Sequence, residues 1–411
     1  MQFLISLLLA MPIFGQLLRL PLVDRMGLMP SDLLIVLILG GAFLQFLQGK
    51  SYKIPRSILY SGLIFALWAL WTLLFNVWDL SLSRGELFTG FAYYGRHLLY
   101  LLLWPVLWVE IRKKPEFYQK YLLIMVLIVA ILGFVQLKFF PSFKDLRMNE
   151  LGWDPHEGRL LSTWFDPNYV GIYFGVGATL ALSQFFDDQK YRYYYLGMAV
   201  FLLLALGLTY SRSAYLGSFI MLGILAFFKE RKLLLIGGMA VLLLVAGVPR
   251  ARERVLDAVE SAQALFTQTT KTMDPTSRLR VQSWQVGWKF FQEKPLTGIG
   301  FNNLKTLQKR EWTFMTNSHA ASGIDASLLT LLATTGIIGT VLALLTWFFI
   351  LKTHWHAYFQ QKNTWSLAVL AIFAGLVVHS CFVNTFFFTL FLPSLWAITV
   401  LDNNRHKVDT K

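Results

Sequence analysis

Four polar stretches in an otherwise apolar chain carry the residue types that chemistry needs. In the first, Arg159 precedes Asp166-Pro167-Asn168. Asp-Pro-Asn marks a helix start, because Pro fixes φ and an Asp or Asn side chain caps the free amides; alone it implies nothing more. A guanidinium beside such an amide-rich start suits an anion. The second, Thr209-Tyr210-Ser211-Arg212-Ser213, is a short hinge between apolar runs. Arg212 is either a snorkelling arginine at a membrane face or a cation held in a polar pocket with the two serines. The third contains Arg278, Arg280 and Trp284, with Val281, Trp284, Trp288 and Phe291 at three-to-four spacing. That spacing predicts an amphipathic helix lying on a membrane or a helix bundle, with Pro295 ending it and Arg280 sharing a face with Trp284. Gly298-x-Gly300 follows as a turn; with no third glycine and no preceding strand it is a poor dinucleotide signal. The fourth runs from Asn317 and His319 to Asp325 and on to Gly336-Ile-Ile-Gly339. Asp325 is adequate as a helix N-cap, yet a carboxylate or an imidazole at the mouth of a bundle is equally a candidate general base.

The elements that must position these residues are membrane helices. Of 411 residues, 56% are apolar and 15% charged, and the mean hydropathy is +0.53. Soluble domains run near about 45–50% apolar and about 25% charged, so a soluble multidomain enzyme is excluded. Apolar runs fall at 2–18, 31–48, 58–75, 91–109, 121–140, 169–186, 193–208, 213–228, 233–248, 327–350, 365–383 and 386–401. At roughly 20 residues per span these predict an all-α, polytopic protein of about twelve transmembrane helices. Residues 1–248 make a nine-helix part, 249–325 a large outer loop, and 326–411 three further helices with a short tail. Met1 to Leu18 lacks the cationic start and small-residue cleavage site of a secretory signal, so it is expected to be a retained first span.

The net charge of +14 by itself would suit nucleic acid or anionic lipid. Threading gives it another meaning. With the N terminus inside, one set of short connections and the C-terminal tail hold seventeen Lys and Arg, among them Arg112, Lys113 and Lys114; the opposite set holds seven. The positive-inside rule then puts both termini in the cytoplasm and all four polar stretches on the outer side, and no nucleic acid is implied. Arg250, Arg252 and Arg254 read as a solvated helix start. The one cysteine, Cys381, lies in an apolar run and permits no internal disulfide or thiolate cluster. The outer loops show no Asp-x-Asp pair or histidine cluster, so no metal and no cofactor is expected.

Together the four stretches resemble the O-antigen ligase and O-antigen polymerase superfamily of membrane glycosyltransferases. Arg159 to Asn168 is similar to its R-x-x-G-x-F-x-x-P-N element, with Ser162 in the glycine place; Thr209 to Arg212 resembles T-x-S-R. Arg280-x-x-x-Trp284 and Pro295-x-x-Gly298-x-Gly300 resemble the outer-loop element, and the fourth stretch the H-N-x-x-L…G-x-x-G helix start. Similarity covers residues 159 to 340. Counting back from Gly336, the position where ligases carry histidine holds Asp325, and the following Asn is Ala326. Polymerase-like members resemble that variant better.

The resemblance implies a glycan on a polyprenyl (undecaprenyl) diphosphate as substrate, in the lipid bilayer of a bacterial cytoplasmic membrane. Arg159, Arg212 and Arg280 would hold the diphosphate, Asn168, Arg278 and Trp284 would contribute to binding, and Asp325 or His319 would act as base. A lipid diphosphate is already an activated donor, so no nucleotide is needed. A flippase and a chain-length regulator are the expected partner proteins. The alternatives are a ligase that transfers the glycan to a lipid-A core, and a flippase or transporter. The latter would need ionisable residues deep in the spans, for which Arg96, His97, Lys138 and His379 are the few candidates; a lone His379 is more often a packing residue.

Overall fold

The computed structural model describes residues 1–21, 27–49, 53–146, 153–154, 156–247, 249, 252–253, 256–257, 275–311 and 323–401. His319, Arg250 and Arg254 lie outside the described residues. Among the described residues the fold is all-α apart from a two-stranded ribbon, β1 (Leu20–Pro21) with β2 (Gly27–Leu28). Its helices are α1 Gln2–Phe14, α2 Pro30–Leu47, α3 Arg56–Asp79, α4 Arg84–Glu110, α5 Pro115–Phe139, α6 Pro167–Asp187 and α7 Arg192–Leu208. There follow α8 Arg212–Lys229, α9 Lys232–Gly247, α10 Pro275–Glu293, α11 Leu304–Glu311, α12 Ser327–Gln361, α13 Thr364–His379 and α14 Leu392–Val400.

Each apolar run contains a helix, but not each is a full span. Among the described residues, α2, α3, α5, α6, α8 and α12 are long and apolar enough to cross a membrane; Gln2–Leu18, α7 and α13 are shorter apolar helices. The last run, expected over 386–401, is an α-helix only from Leu392, with a 3-10 turn at Thr385–Phe387 before it. Cys381, expected inside an apolar run, sits exposed in the turn after α13.

Helix α6 is the central element: 78% of its apolar window is buried, against 33–44% for the other five long spans. Lipid is as apolar as a leucine side chain, so membrane helices associate by close backbone approach at small residues. On α6 those residues are Gly171, Gly175 and Gly177. A Cβ on Gly175 would lie 1.9 Å from Ser218 Oγ of α8, and one on Gly177 would lie 2.6 Å from Val126 of α5. Two neighbours thus close on α6 where it has no side chains.

Helix α12 is interrupted. Gly336 has φ 66° and ψ −173°, a backbone conformation open to glycine and strained for other residues. The break strips the carbonyls of Ala333, Thr334 and Thr335 of their helical donors, and all three find replacements. Ile299 N–H donates to Ala333 (2.9 Å), Gly300 N–H to Thr334 (3.0 Å) and Trp68 Nε1–H to Thr335 (2.9 Å). On the far side of the break, Ile337 N–H donates to Pro295 C=O at 2.8 Å. Residues 295–300 therefore fill the gap in α12, and every buried backbone group named here is paired. A Cβ on Gly336 would meet Leu296 O at 2.2 Å, and one on Gly298 would meet the Thr334 carbonyl carbon at 2.4 Å. The two glycine motifs are halves of one joint that fastens the end of α10 to α12.

Arg96, a mid-span candidate for a transport path, is paired. Its Nη2 lies 2.8 Å from Asp32 Oδ2, and Tyr100 O–H donates to the other carboxylate oxygen at 3.2 Å. This ion pair fixes α4 to the start of α2.

Candidate active site

The starts of α6 and α8 lie side by side. Asp166 caps α6, its Oδ1 accepting from Asn168 N–H (2.7 Å) and Tyr169 N–H (3.2 Å). Ser211 caps α8, its Oγ accepting from Ala214 N–H at 3.3 Å. The Ser211 hydroxyl also donates to Asn168 Oδ1 at 2.7 Å, which joins the two caps. Arg212, the first residue of α8, reaches from this pair toward α10, with Nη2 3.4 Å from Ser277 Oγ. The hinge expected from the sequence thus holds a polar contact with the outer-loop helix, beyond what a freely snorkelling arginine would make.

Arg159 does something different from the expectation that it serves a helix N terminus. Its Nε donates to Thr209 C=O at 2.8 Å and its Nη2 to Tyr210 C=O at 3.2 Å. These are carbonyls at the end of α7, where the helix dipole is negative and a cation is favoured. Tyr210 has φ 49° in the left-handed region, so Arg159 braces a strained turn directly before Ser211 and Arg212.

Helix α10 supplies the opposite wall. It buries Ser283, Val286, Gly287 and Phe290, while Trp288 is 50% exposed. The helical period matches the sequence, but the buried stripe is shifted by one to two residues from Val281, Trp284, Trp288 and Phe291. Arg280, Ser283, Trp284 and Gly287 fall on one face. Ser283 Oγ accepts from Asp325 N–H at 3.0 Å, and Trp284 Nε1–H donates to Asp325 C=O at 3.2 Å. Gly287 permits this docking, since a Cβ there would lie 2.6 Å from Ile324 Cδ1. Arg278, two residues from Arg280 and on the opposite side of the helix, is exposed and is not brought into the cluster.

Asp325 is held by its backbone, which leaves its carboxylate for other work. The N-cap of α12 is Ala326, with no side-chain cap bond, so the N-cap role expected for Asp325 is not the one it plays. Burial raises the Asp325 carboxyl above its usual range; Arg280 pulls it back down, and Asp166 and Asp154 push it up. Those influences place Asp325, Arg280 and Asp166 in one electrostatic neighbourhood. A desolvated carboxylate beside a cation, with its pKa raised toward neutrality, is equipped to take a proton.

The segment after α13 closes the site. Ser327 N–H donates to Ser380 C=O at 2.9 Å, Phe382 packs against Trp284 at 6.0 Å between centroids, and Phe388 stacks on Tyr169 at 3.8 Å. His379 is buried, with Nδ1 2.7 Å from Thr385 Oγ1, while its buried Nε2 has no hydrogen-bond partner among the described residues, so it is not the fully satisfied packing residue expected. The sequence reading missed Ser283 and the 380–388 segment. The first is legible in retrospect, because 280, 283, 284 and 287 follow the i, i+3, i+4, i+7 pattern; the second has no local signal.

The long apolar helices fit a polytopic all-α membrane protein, and the paired caps of α6 and α8 lie near Arg212, with Arg280 and Asp325 on the neighbouring elements. Residues 197–344, from α7 into α12, match the Wzy_C family model, described as O-Antigen ligase. That domain, which covers about a third of the chain, supports the O-antigen ligase and polymerase superfamily, whose members are glycosyltransferase-type enzymes. The match contains Arg212, Arg278, Arg280, Trp284 and Asp325; Arg159 and Asn168 precede it. No curated protein matches the chain.

Proposed function

We propose that this protein polymerises oligosaccharide repeat units carried on a polyprenyl diphosphate, building a surface polysaccharide on the outer face of the cytoplasmic membrane. The observation that carries this reading is that α10 brings Arg280 into the electrostatic neighbourhood of Asp325, while Arg212 at the start of α8 contacts Ser277, one turn before Arg280 on the same helix. In the reaction, an acceptor sugar hydroxyl attacks the anomeric carbon of the donor and a new C–O glycosidic bond forms. The bond from that carbon to the diphosphate oxygen breaks, and its electron pair leaves with the diphosphate. The hydroxyl proton passes to Asp325, while Arg212 and Arg280 stabilise charge on the departing oxygens. Planar guanidinium groups match phosphate geometry, and the reading needs no metal. Arg159, committed to the Thr209 and Tyr210 carbonyls, fits a positioning role for Arg212; Asn168 does the same through Ser211, and Trp284 through the Asp325 backbone.

The family description reads O-Antigen ligase, and the ligase alternative would transfer the glycan onto a lipid-A core. Asp325 at the place where ligases carry histidine favours polymerisation instead. His319 lies outside the described residues and stands as the alternative base. The excess of Lys and Arg in the connections at the opposite end of the bundle supports cytoplasmic termini and an outer site. A flippase and a chain-length regulator are the partners this reading calls for. The test is surface polysaccharide in cells carrying Arg212→Ala or Arg280→Ala: loss of polymer with intact expression is expected, and normal polymer length in both variants contradicts the assignment.

A further inference from the structure

A second concavity opens beside this site. It has a volume of about 380 Å³ and lies between the turn that starts α4, residues 301–306, the beginning of α12 and the 384–387 segment. That volume is within the ~300–1,000 Å³ of small-ligand pockets. Its walls differ in kind from the arginine site. Among its lining residues the one charged side chain is Glu86, and that carboxylate accepts from Ser83 N–H and Ser83 Oγ–H, both at 2.8 Å, in the capping box of α4. The remaining polar groups are hydroxyls and amides, including Thr89, Thr330 and Asn384, and the apolar surface is largely the rings of Tyr93, Phe301 and Phe387. The Asn384 side-chain oxygen is buried with no hydrogen-bond partner.

Among the described residues no cation lines this cavity, and such a lining does not favour a diphosphate. One that offers neutral donors and acceptors between aromatic faces suits a molecule with hydroxyls on its rim and C–H bonds on its faces. The cavity also adjoins the chemistry. Gly323 on its wall is two residues from Asp325, and the segment that carries Asn384 and Phe387 continues into Phe388 on Tyr169. We infer that this cavity holds the uncharged acceptor sugar, presenting its hydroxyl to Asp325, and that Asn384 and Thr330 select which sugar is accepted. The assignment of the acceptor role rests on the glycosyl-transfer reading above; binding of a neutral saccharide does not.

Two variants test the cavity independently. Gly85 lines it, and a Cβ there meets nothing within 4 Å, so Gly85→Trp fills the space without a backbone clash; Asn384→Ala removes the unpaired amide. Purified full-length protein in lipid nanodiscs is probed by saturation-transfer NMR with maltose and N,N′-diacetylchitobiose, and separately by calorimetry with inorganic diphosphate. Helical content and melting temperature are checked for each variant. The expected result is saturation transfer to at least one disaccharide in the wild type and in Arg212→Ala, weakened about tenfold or more in Gly85→Trp and Asn384→Ala. Diphosphate should show the reverse dependence. Disaccharide binding that ignores both cavity variants, or no disaccharide binding by the wild type, overturns the inference even where diphosphate binds the arginines. Disaccharide binding lost in Gly85→Trp, together with diphosphate binding indifferent to Arg212→Ala, upholds the cavity and overturns the arginine reading instead.

Discussion

At the residue scale, the proposed base is Asp325, whose hydrogen bonds to Ser283 and Trp284 run through its backbone rather than its carboxylate. In the proposed reaction its ionised form accepts the proton, and burial raises its pKa, so activity should fall as pH drops through a value above the ordinary ~3.9 of aspartate. Asp154 contributes to that rise. Asp154→Asn should therefore move the acid limb of the pH–rate profile to lower pH while the plateau rate holds; an unmoved limb would mean that another group titrates. Asp325→Asn should lower the rate by about 10²–10⁴-fold. Arg280→Ala should cost about 10²–10³-fold, in the manner of a lost donor to a developing oxyanion. Trp284→Phe removes only the bond to the Asp325 carbonyl, worth ~1 kcal/mol, and a rate loss of about fivefold with normal expression is expected from quantitative polymer assays.

At the element scale, the sequence located the helices well and their interruptions poorly. Hydropathy finds an apolar run whether or not a glycine breaks it, so the tenth run concealed the gap at Gly336 and the last concealed the turn at Thr385–Phe387. Periodicity found α10, but it ranked aromatic residues as buried, and the face that docks is lined by Ser283 and Gly287 because backbone must come close there. The motifs were legible as a set, and their division of labour was not. Arg159 looks like an anion ligand in one dimension and is a brace for the α7 end in three. Pro295 to Gly300 looks like a loop and is the filling of a broken helix. Gly336→Ala should accordingly destabilise by about 1–3 kcal/mol from backbone strain alone, with the clash against Leu296 O adding to it. A lowered melting temperature in detergent together with lost polymer is the expected pair of results; wild-type melting would show that the joint tolerates a side chain.

At the scale of the whole molecule, α6 sits at the centre with α8 packed on it, and the caps of both helices meet where Asn168 bonds Ser211. Helix α10 is fastened at both ends of its docking face, by Asp325 near one end and by the Gly336 joint at the other; Lys294, just past it, binds Asn76 and Asp79 of α3. Arg212, Arg280 and Asp325 thus lie on three elements linked through α10, the arrangement that the proposed transfer between two lipid-anchored sugars calls for. The most direct measurement is made on purified protein given one polyprenyl-diphosphate oligosaccharide and nothing else. A ladder of products at repeat-unit spacing, absent from the Arg280→Ala protein, is the result expected of a polymerase with this site. A single product that forms only when a lipid-core acceptor is added, or an unchanged ladder from Arg280→Ala, would contradict it.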